Sequence, residues 1–369
     1  MKNFINSLLV IFLLTSCASN FEEEKATLLK QENKDLVSSF EVENVDANKF
    51  KEVKPTPVEN TNQKAEAKNK KEKTKKEKIT LGSTLKLGTK KEEPKKEAPV
   101  TVEKTETKEI KYPENYPELF KQYDQKSKGI WSQFKPIFYK GEQTIMAISY
   151  LGVTAGYITI LSKGVVKLGD RLAYDFYARF KSRDSYRYFY WLDDYLESFV
   201  DKETFLPIKY SLIQREKKQN VDDLQLFDTK KLQNYTWYKR VKEGSNRDEK
   251  KTVFIPYYLQ DSFSALQFVR GLPLKKGDLY EFPVATRANS WILKLEVLGE
   301  ETINVLDKDT KAIKIKAETH FPGVLQKSGD IIFWYSADEM KRLLKFQAKV
   351  KIGSIQGEIV EYKPGVLVN

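Results

Sequence analysis

The sequence predicts a mainly β protein: a curved antiparallel sheet, shaped as a barrel, half-barrel or sandwich, with one inserted helix and a long disordered linker in front of it. Three observations predict this. Beyond Phe138 the chain alternates apolar or aromatic residues with polar ones at a period of two, as in residues 144–150, 171–180, 311–316 and 343–352, the pattern of strands with one buried face. Turn-forming clusters separate these runs, among them Gly152, Gly156, Lys163-Gly164, Gly169-Asp170, Asp228-Thr229-Lys230 and Lys276-Gly277-Asp278, which gives roughly a dozen or more strands. Before Tyr112, by contrast, Lys, Glu, Thr, Asn and Pro dominate, a composition that cannot bury enough apolar area to offset backbone entropy. Strict alternation over so many strands leaves one face inside and one wet, so the sheet has to curve round a core.

The chain therefore divides into residues 1–16, 17–111 and 112–369. In the first part Lys2 supplies a positive start, residues 4–14 an apolar stretch, and Leu14-Thr15-Ser16-Cys17 a small-residue close before a cysteine, the layout of a secretory signal peptide. That stretch is short for a bilayer span. Leu14, Thr15, Ser16 and Cys17 resemble the bacterial lipobox, which implies cleavage before Cys17 and a lipid on its thiol. Cys17 is the sole cysteine of the 369 residues, so no intramolecular disulfide can form. Two or three acyl chains would hold the protein firmly, each buried methylene adding roughly 0.8 kcal/mol. Ala18 and Ser19 follow, unlike the aspartate that retains enteric lipoproteins in the inner membrane, which points to the outer membrane. The expected location is thus the cell envelope, with the domain facing the periplasm or the cell surface.

Residues 17–111 are expected to be a lipid-anchored tether, with an r.m.s. reach of about 50–60 Å if flexible throughout. Between Lys64 and Lys91 stand eleven lysines and three glutamates, a local charge of +8. Such a run is either a solvated linker or a strip that lies on anionic lipid or cell-wall glycan, gaining up to about 1 kcal/mol per lysine near a charged leaflet. The net charge of +12 fits the same polyanions in an exported protein, and nucleic acid is not an expected partner. Leu28, Leu29, Leu36 and Val37 have helix-like spacing, enough for a transient or partner-induced helix. Residues 79–88 alternate like a strand and could add to a partner's sheet edge.

Within residues 112–369 a short amphipathic helix is expected over residues 118–126, then the strands, then one helix over residues 260–269. There Phe263, Leu266 and Val269 form a stripe at a spacing of three, with Asp261 or Ser262 as cap. A helix between strands survives by burying a face, so it either closes the core or lids the concave side of the sheet, with Arg270 turned to a carboxylate or to solvent. The densest aromatic run, Tyr186 to Trp191, would as a strand put Tyr186, Tyr188 and Tyr190 on one face and Phe189 and Trp191 on the other. Together with Phe263, Leu266, Arg270 and Trp334, Tyr186, Tyr188, Tyr190 and Trp191 make the candidate surface for a ligand or a protein partner.

A family resemblance rests on three motifs. Gly141-Glu142 followed by residues 148–156 is similar to the opening hairpin of an exported bacterial family known as domain of unknown function 3108, DUF3108. Residues 261–270 with Leu272-Pro273-Leu274 resemble its Asp-Pro-Leu-Ser-Ala-Leu helix, and residues 333–339 with Arg342-Leu343-Leu344 its tryptophan strand and acidic turn. The resemblance covers residues 138–362. Ser262 and Phe263 stand where Pro and Leu are usual, and Leu344 where Pro is usual. It implies a fold and a compartment and leaves activity open.

Catalytic chemistry finds little footing. The single histidine, His320, lies beside Phe321-Pro322-Gly323 at an expected strand end, which suits a turn rather than a triad. One histidine and one cysteine exclude a His/Cys metal site. Asp193-Asp194 and Asp222-Asp223 are expected as turn caps or solvated charges, because strand neighbours point to opposite faces. No phosphate-cradling glycine loop occurs. The expectation is a non-enzymatic envelope module without cofactor or metal that binds a partner protein or an apolar or lipid ligand. The alternative is a structural tether that joins the outer membrane to the cell wall through its basic linker.

Overall fold

The structure, a computed structural model, describes residues 36–40, 42, 45–53, 110–186, 190–318, 330–350 and 352–368. The signal segment, Cys17, the run between Lys64 and Lys91, the strand-like residues 79–88, Tyr188 and His320 lie outside them.

Period-two alternation produces the expected sheet. Its strands are β1 (Tyr139–Lys140), β2 (Gln143–Tyr150), β3 (Val153–Leu168), β4 (Arg171–Ser182), β5 (Asp193–Asp201), β6 (Pro207–Arg215), β7 (Gln219–Asp228), β8 (Gln233–Lys242) and β9 (Arg247–Phe254). After them come β10 (Gln260–Asp261), β11 (Leu279–Thr286), β12 (Asn289–Val305), β13 (Lys308–Glu318), β14 (Asp330–Ser336), β15 (Leu343–Lys349), β16 (Ser354–Lys363) and β17 (Val366–Leu367). Fifteen of them form one sheet in the order β10 to β16, then β2 to β9. Every pairing in it is antiparallel except β10 with β11. Sequence neighbours pair throughout this meander, with one long-range join between β16 and β2.

The edges are β9 and β10, so backbone pairing does not close the sheet. Side chains seal it instead. Gln260 Nε2 donates to the Phe205 carbonyl at 2.8 Å, Asn234 Nδ2 to the Arg287 carbonyl at 2.9 Å, and Arg287 Nε to Asp223 Oδ2 at 3.3 Å. These bonds bring the β11–β12 end of the sheet against β7 and β8, making the fold barrel-like. Alternation then divides the core between two faces. Inside lie Phe138, Tyr174, Phe176, Phe205, Phe227, Phe268 and Phe282. On the other face of β3 to β8 lie Tyr177, Tyr195, Phe199, Leu224, Leu226 and Trp237.

Among the described residues three α-helices accompany the sheet: α1 (Leu36–Ser39), α2 (Glu118–Trp131) and α3 (Ser264–Arg270). Helix α2 runs five residues beyond the expected Lys126 because Ile130 and Trp131 pack on the inner core. Helix α3 starts later than expected. Gln260 and Asp261 pair with β11 instead, so the N-cap position falls to Phe263 and not to Asp261 or Ser262, and Asp261 Oδ1 accepts from the Phe263 and Ser264 amides at 2.8 Å each as the chain turns into the helix.

Three expectations need correction. The tether reading fails over residues 36–53, which belong to the same compact unit as residues 112–369. Leu36, Val37 and Phe50 are buried on the outer face of the sheet, and the Val53 amide donates to the Lys167 carbonyl at 2.8 Å. That face is rich in Tyr, Phe and Trp, and it leaves apolar surface for a few apolar residues of the linker to cover. At Gly169, φ is +58° and a Cβ would sit 2.9 Å from Lys49 Cα, so the docked segment explains the glycine twice over. The strand expected over residues 186–191 is absent at its described positions: residues 184–186 form a 3-10 turn, and Tyr190 and Trp191 lie outside any strand. Finally, Gly156 and Lys163-Gly164 are not turns. Strand β3 runs through both, with a bulge between Ser162 and Gly164, and a Cβ on Gly156 would lie 2.3 Å from the Lys181 carbonyl oxygen.

Candidate functional site

Helix α3 is held on its inner side by rings. Phe268 lies 4.3 Å from the Trp131 ring and 4.4 Å from that of Phe134, and Phe263 and Val269 are buried with it. Its last residue, Arg270, is buried and donates to both oxygens of Glu142 at 2.7 and 2.9 Å, and to the Met340 carbonyl. The carboxylate expected near Arg270 is therefore Glu142, at the entry to β2. Tyr362 Oη donates to the same carboxylate at 3.1 Å. Asp261, fully buried ahead of the helix, also accepts from Ser198 Oγ at 2.5 Å, and burial raises its pKa against those hydrogen bonds.

Between α3 and the sheet lies a cavity of about 450 Å3. From the helix side Phe263, Ala265, Leu266 and Val269 line it. Strands β14, β15, β2, β3 and β4 contribute Ile331, Phe333, Tyr335, Leu343, Phe346, Ala348, Met146, Ile158, Ile160, Ala178 and Phe180. All of these are apolar except for the Tyr335 hydroxyl, which donates to the Leu266 carbonyl at 3.1 Å. Phe180, Phe333 and Phe346 remain half-buried on this wall.

The polar lining comes from the seam where the sheet meets itself: Tyr210, Asp223, Gln225, Ser262, Thr286, Arg287 and Asn289. Asp223 is 3% exposed, and burial pushes its carboxyl up to about 6 against the pull of Arg287. Its Oδ2 is bonded to Arg287 and the Gln225 side chain stands beside the carboxylate, but Oδ1 has no hydrogen-bond partner, and neither has Thr286 Oγ1. Orphaned buried oxygens are rare in folded proteins and call for an explanation. Tyr210 beside them is also raised by burial, with the Asp223 charge adding to it. Arg287 stacks over the Tyr238 ring at 3.9 Å and sits at φ +55° in the two-residue turn between β11 and β12. A non-glycine residue in that region is held there by its surroundings, and such positions cluster at binding sites.

Of the candidate residues, Phe263 and Leu266 line the cavity, and Arg270 fixes the helix from outside it. Tyr188 lies outside the described residues, and the remaining four do not line the cavity. Tyr190 donates to Glu216 at 2.5 Å, and Tyr186, Tyr190 and Trp191 lie away from the cavity wall. Trp334 points to the outer face, where its Nε1 donates to Glu301 at 2.5 Å, because alternation puts Phe333 and Tyr335 inside. Sequence reasoning took Asp223 for a turn cap or a solvated charge and missed Thr286 and Arg287. The readable signal was a two-residue hairpin with arginine where a glycine would be unstrained. The paired aspartates are neither turn caps nor solvated: Asp193 binds Arg179 on the outer face, Asp194 is buried, and Asp222 binds Arg215 while Asp223 faces the cavity. Their opposite orientations are as expected. Among the described residues, no three His, Cys, Asp or Glu side chains are grouped to hold a metal, and no helix is long and apolar enough to cross a membrane.

Fold and site together define a barrel-like β protein with a ligand-sized, mainly apolar cavity. Within that class the chain belongs to the family described as "Protein of unknown function (DUF3108)", whose model matches residues 146–360, more than half of the chain. Among solved structures it is similar to a beta-barrel-like protein of domain of unknown function DUF1849 from Brucella abortus, with a TM-score of 0.43 and 9% identity, over 62% of this chain and 99% of that one. No curated protein matches.

Proposed function

We propose that this protein is a lipid-anchored envelope lipoprotein whose β domain is a non-enzymatic module binding an apolar or lipid ligand. The observation that carries this reading is the cavity: its volume of about 450 Å3 falls within the range of roughly 300–1,000 Å3 typical of small-molecule sites, and strands β14, β15, β2, β3 and β4 give it apolar walls. A filled interior would have favoured protein docking alone. The anchor rests on Cys17 and the lipobox before it. The run between Lys64 and Lys91 adds attraction to an anionic surface. Among the described residues of the lining Asp223 is the one carboxylate, which supports binding over catalysis by a pair of carboxylates.

Native mass spectrometry of the full chain purified from membranes, followed by lipid extraction, tests the reading. The expected result is an acylated N-terminus, lost in Cys17→Ala, together with a second, non-covalent lipid mass. A domain that carries no such mass and takes up no neutral fluorescent apolar probe overturns the binding role.

A further inference from the structure

The polar groups of the cavity are not scattered. They gather at the seam of the sheet, and the strands midway round from it supply apolar walls such as Phe333 and Phe346. A purely apolar guest would leave Asp223 Oδ1 and Thr286 Oγ1 unpartnered in a dry site, an arrangement that folded proteins avoid. The charge of Asp223 is already set against Arg287, 3.3 Å away. An anionic head group would meet the carboxylate, and a cationic one would meet the guanidinium. A neutral group that both donates and accepts fits both oxygens without disturbing that pair.

We propose that the cavity takes a neutral amphiphile with a hydroxyl-bearing head group of the acylglycerol type, its hydroxyls on Asp223 and Thr286 and its chain along Phe333 and Phe346. The assignment rests on the ligand-binding reading above and names the chemistry of the head group. Tyr210, buried beside Asp223, borders the same polar end, and Arg287 covers it from its strained turn.

The test uses the full chain, stripped of lipid, with N-phenylnaphthylamine as the neutral fluorescent probe. Monolauroylglycerol, laurate and dodecylamine then compete for the probe site; they share a chain length and differ in head group. Monolauroylglycerol is expected to displace the probe at a concentration about tenfold or more below either charged competitor, since a hydrogen bond to a charged group is worth roughly 1.5–3 kcal/mol. Thr286→Val, a partly exposed and nearly isosteric change, is expected to shrink that preference severalfold, and Asp223→Leu to remove most of it. Equal displacement by all three, tightest binding of laurate or dodecylamine, or a preference unchanged in Thr286→Val overturns the head-group assignment while leaving the cavity reading intact. Failure of the probe to bind the wild-type chain overturns both.

Discussion

Arg270 Nη1 and Nη2 each donate to a different oxygen of Glu142, at 2.7 and 2.9 Å, joining the end of α3 to the start of β2 across 128 positions of sequence. Both side chains are nearly inaccessible. Removing one partner strands the other charge in the interior, which typically costs about 3–5 kcal/mol. Arg270→Met is therefore expected to lower stability by about that amount in chemical denaturation. The double variant Glu142→Leu with Arg270→Met should recover a large part of it, because an uncompensated charge no longer remains. Equal losses in the single and double variants would show that the pair acts through packing alone.

Residues 36–53 dock on the outer face of the sheet through Leu36, Val37 and Phe50, with Arg171 positioned 6.0 Å over the Phe50 ring. Trypsin cleavage at the lysines between Lys64 and Lys91 should thus yield an N-terminal fragment that co-elutes with the β domain in gel filtration. Phe50→Asp puts a charge into this contact, which costs far more than burying the ring gains. The variant is expected to release the fragment after cleavage. If the wild-type fragment separates freely, the docking is too weak to matter.

Asp194, 7% exposed, accepts from the Arg215 amide at 2.9 Å, yet burial holds its pKa at about 7, with Glu216 adding to the rise. An unfolded aspartate titrates near 3.9. The folded state therefore prefers the protonated form, and the resulting stabilisation is complete below about pH 4 and is lost as the pH rises to about 7. Asp194→Asn carries no charge at any pH. Its thermal midpoint relative to wild type should climb between pH 4 and pH 8, as followed by circular dichroism. A difference that stays constant across that range would contradict a raised pKa.

Much of the fold was legible because its signals are local. Period two marked β2, β4, β13 and β15. Errors arose where a local signal had a second solution. The run around Tyr186 to Trp191 has strand composition but forms no described strand, and Tyr190 instead spends its hydroxyl on Glu216. Gly156 reads as a turn and serves a close approach between β3 and β4.

By itself the sequence determined the β class and the family, since composition, periodicity and motif are properties of neighbours along the chain. Only the tertiary structure decided that the sheet rolls until Arg287 reaches Asp223, that Arg270 finds Glu142, and that the linker returns to cover Tyr195 and Trp237. Those contacts depend on how twist accumulates over fifteen paired strands. The alternation of a single strand says which residues share a face, and not which distant strand that face will meet.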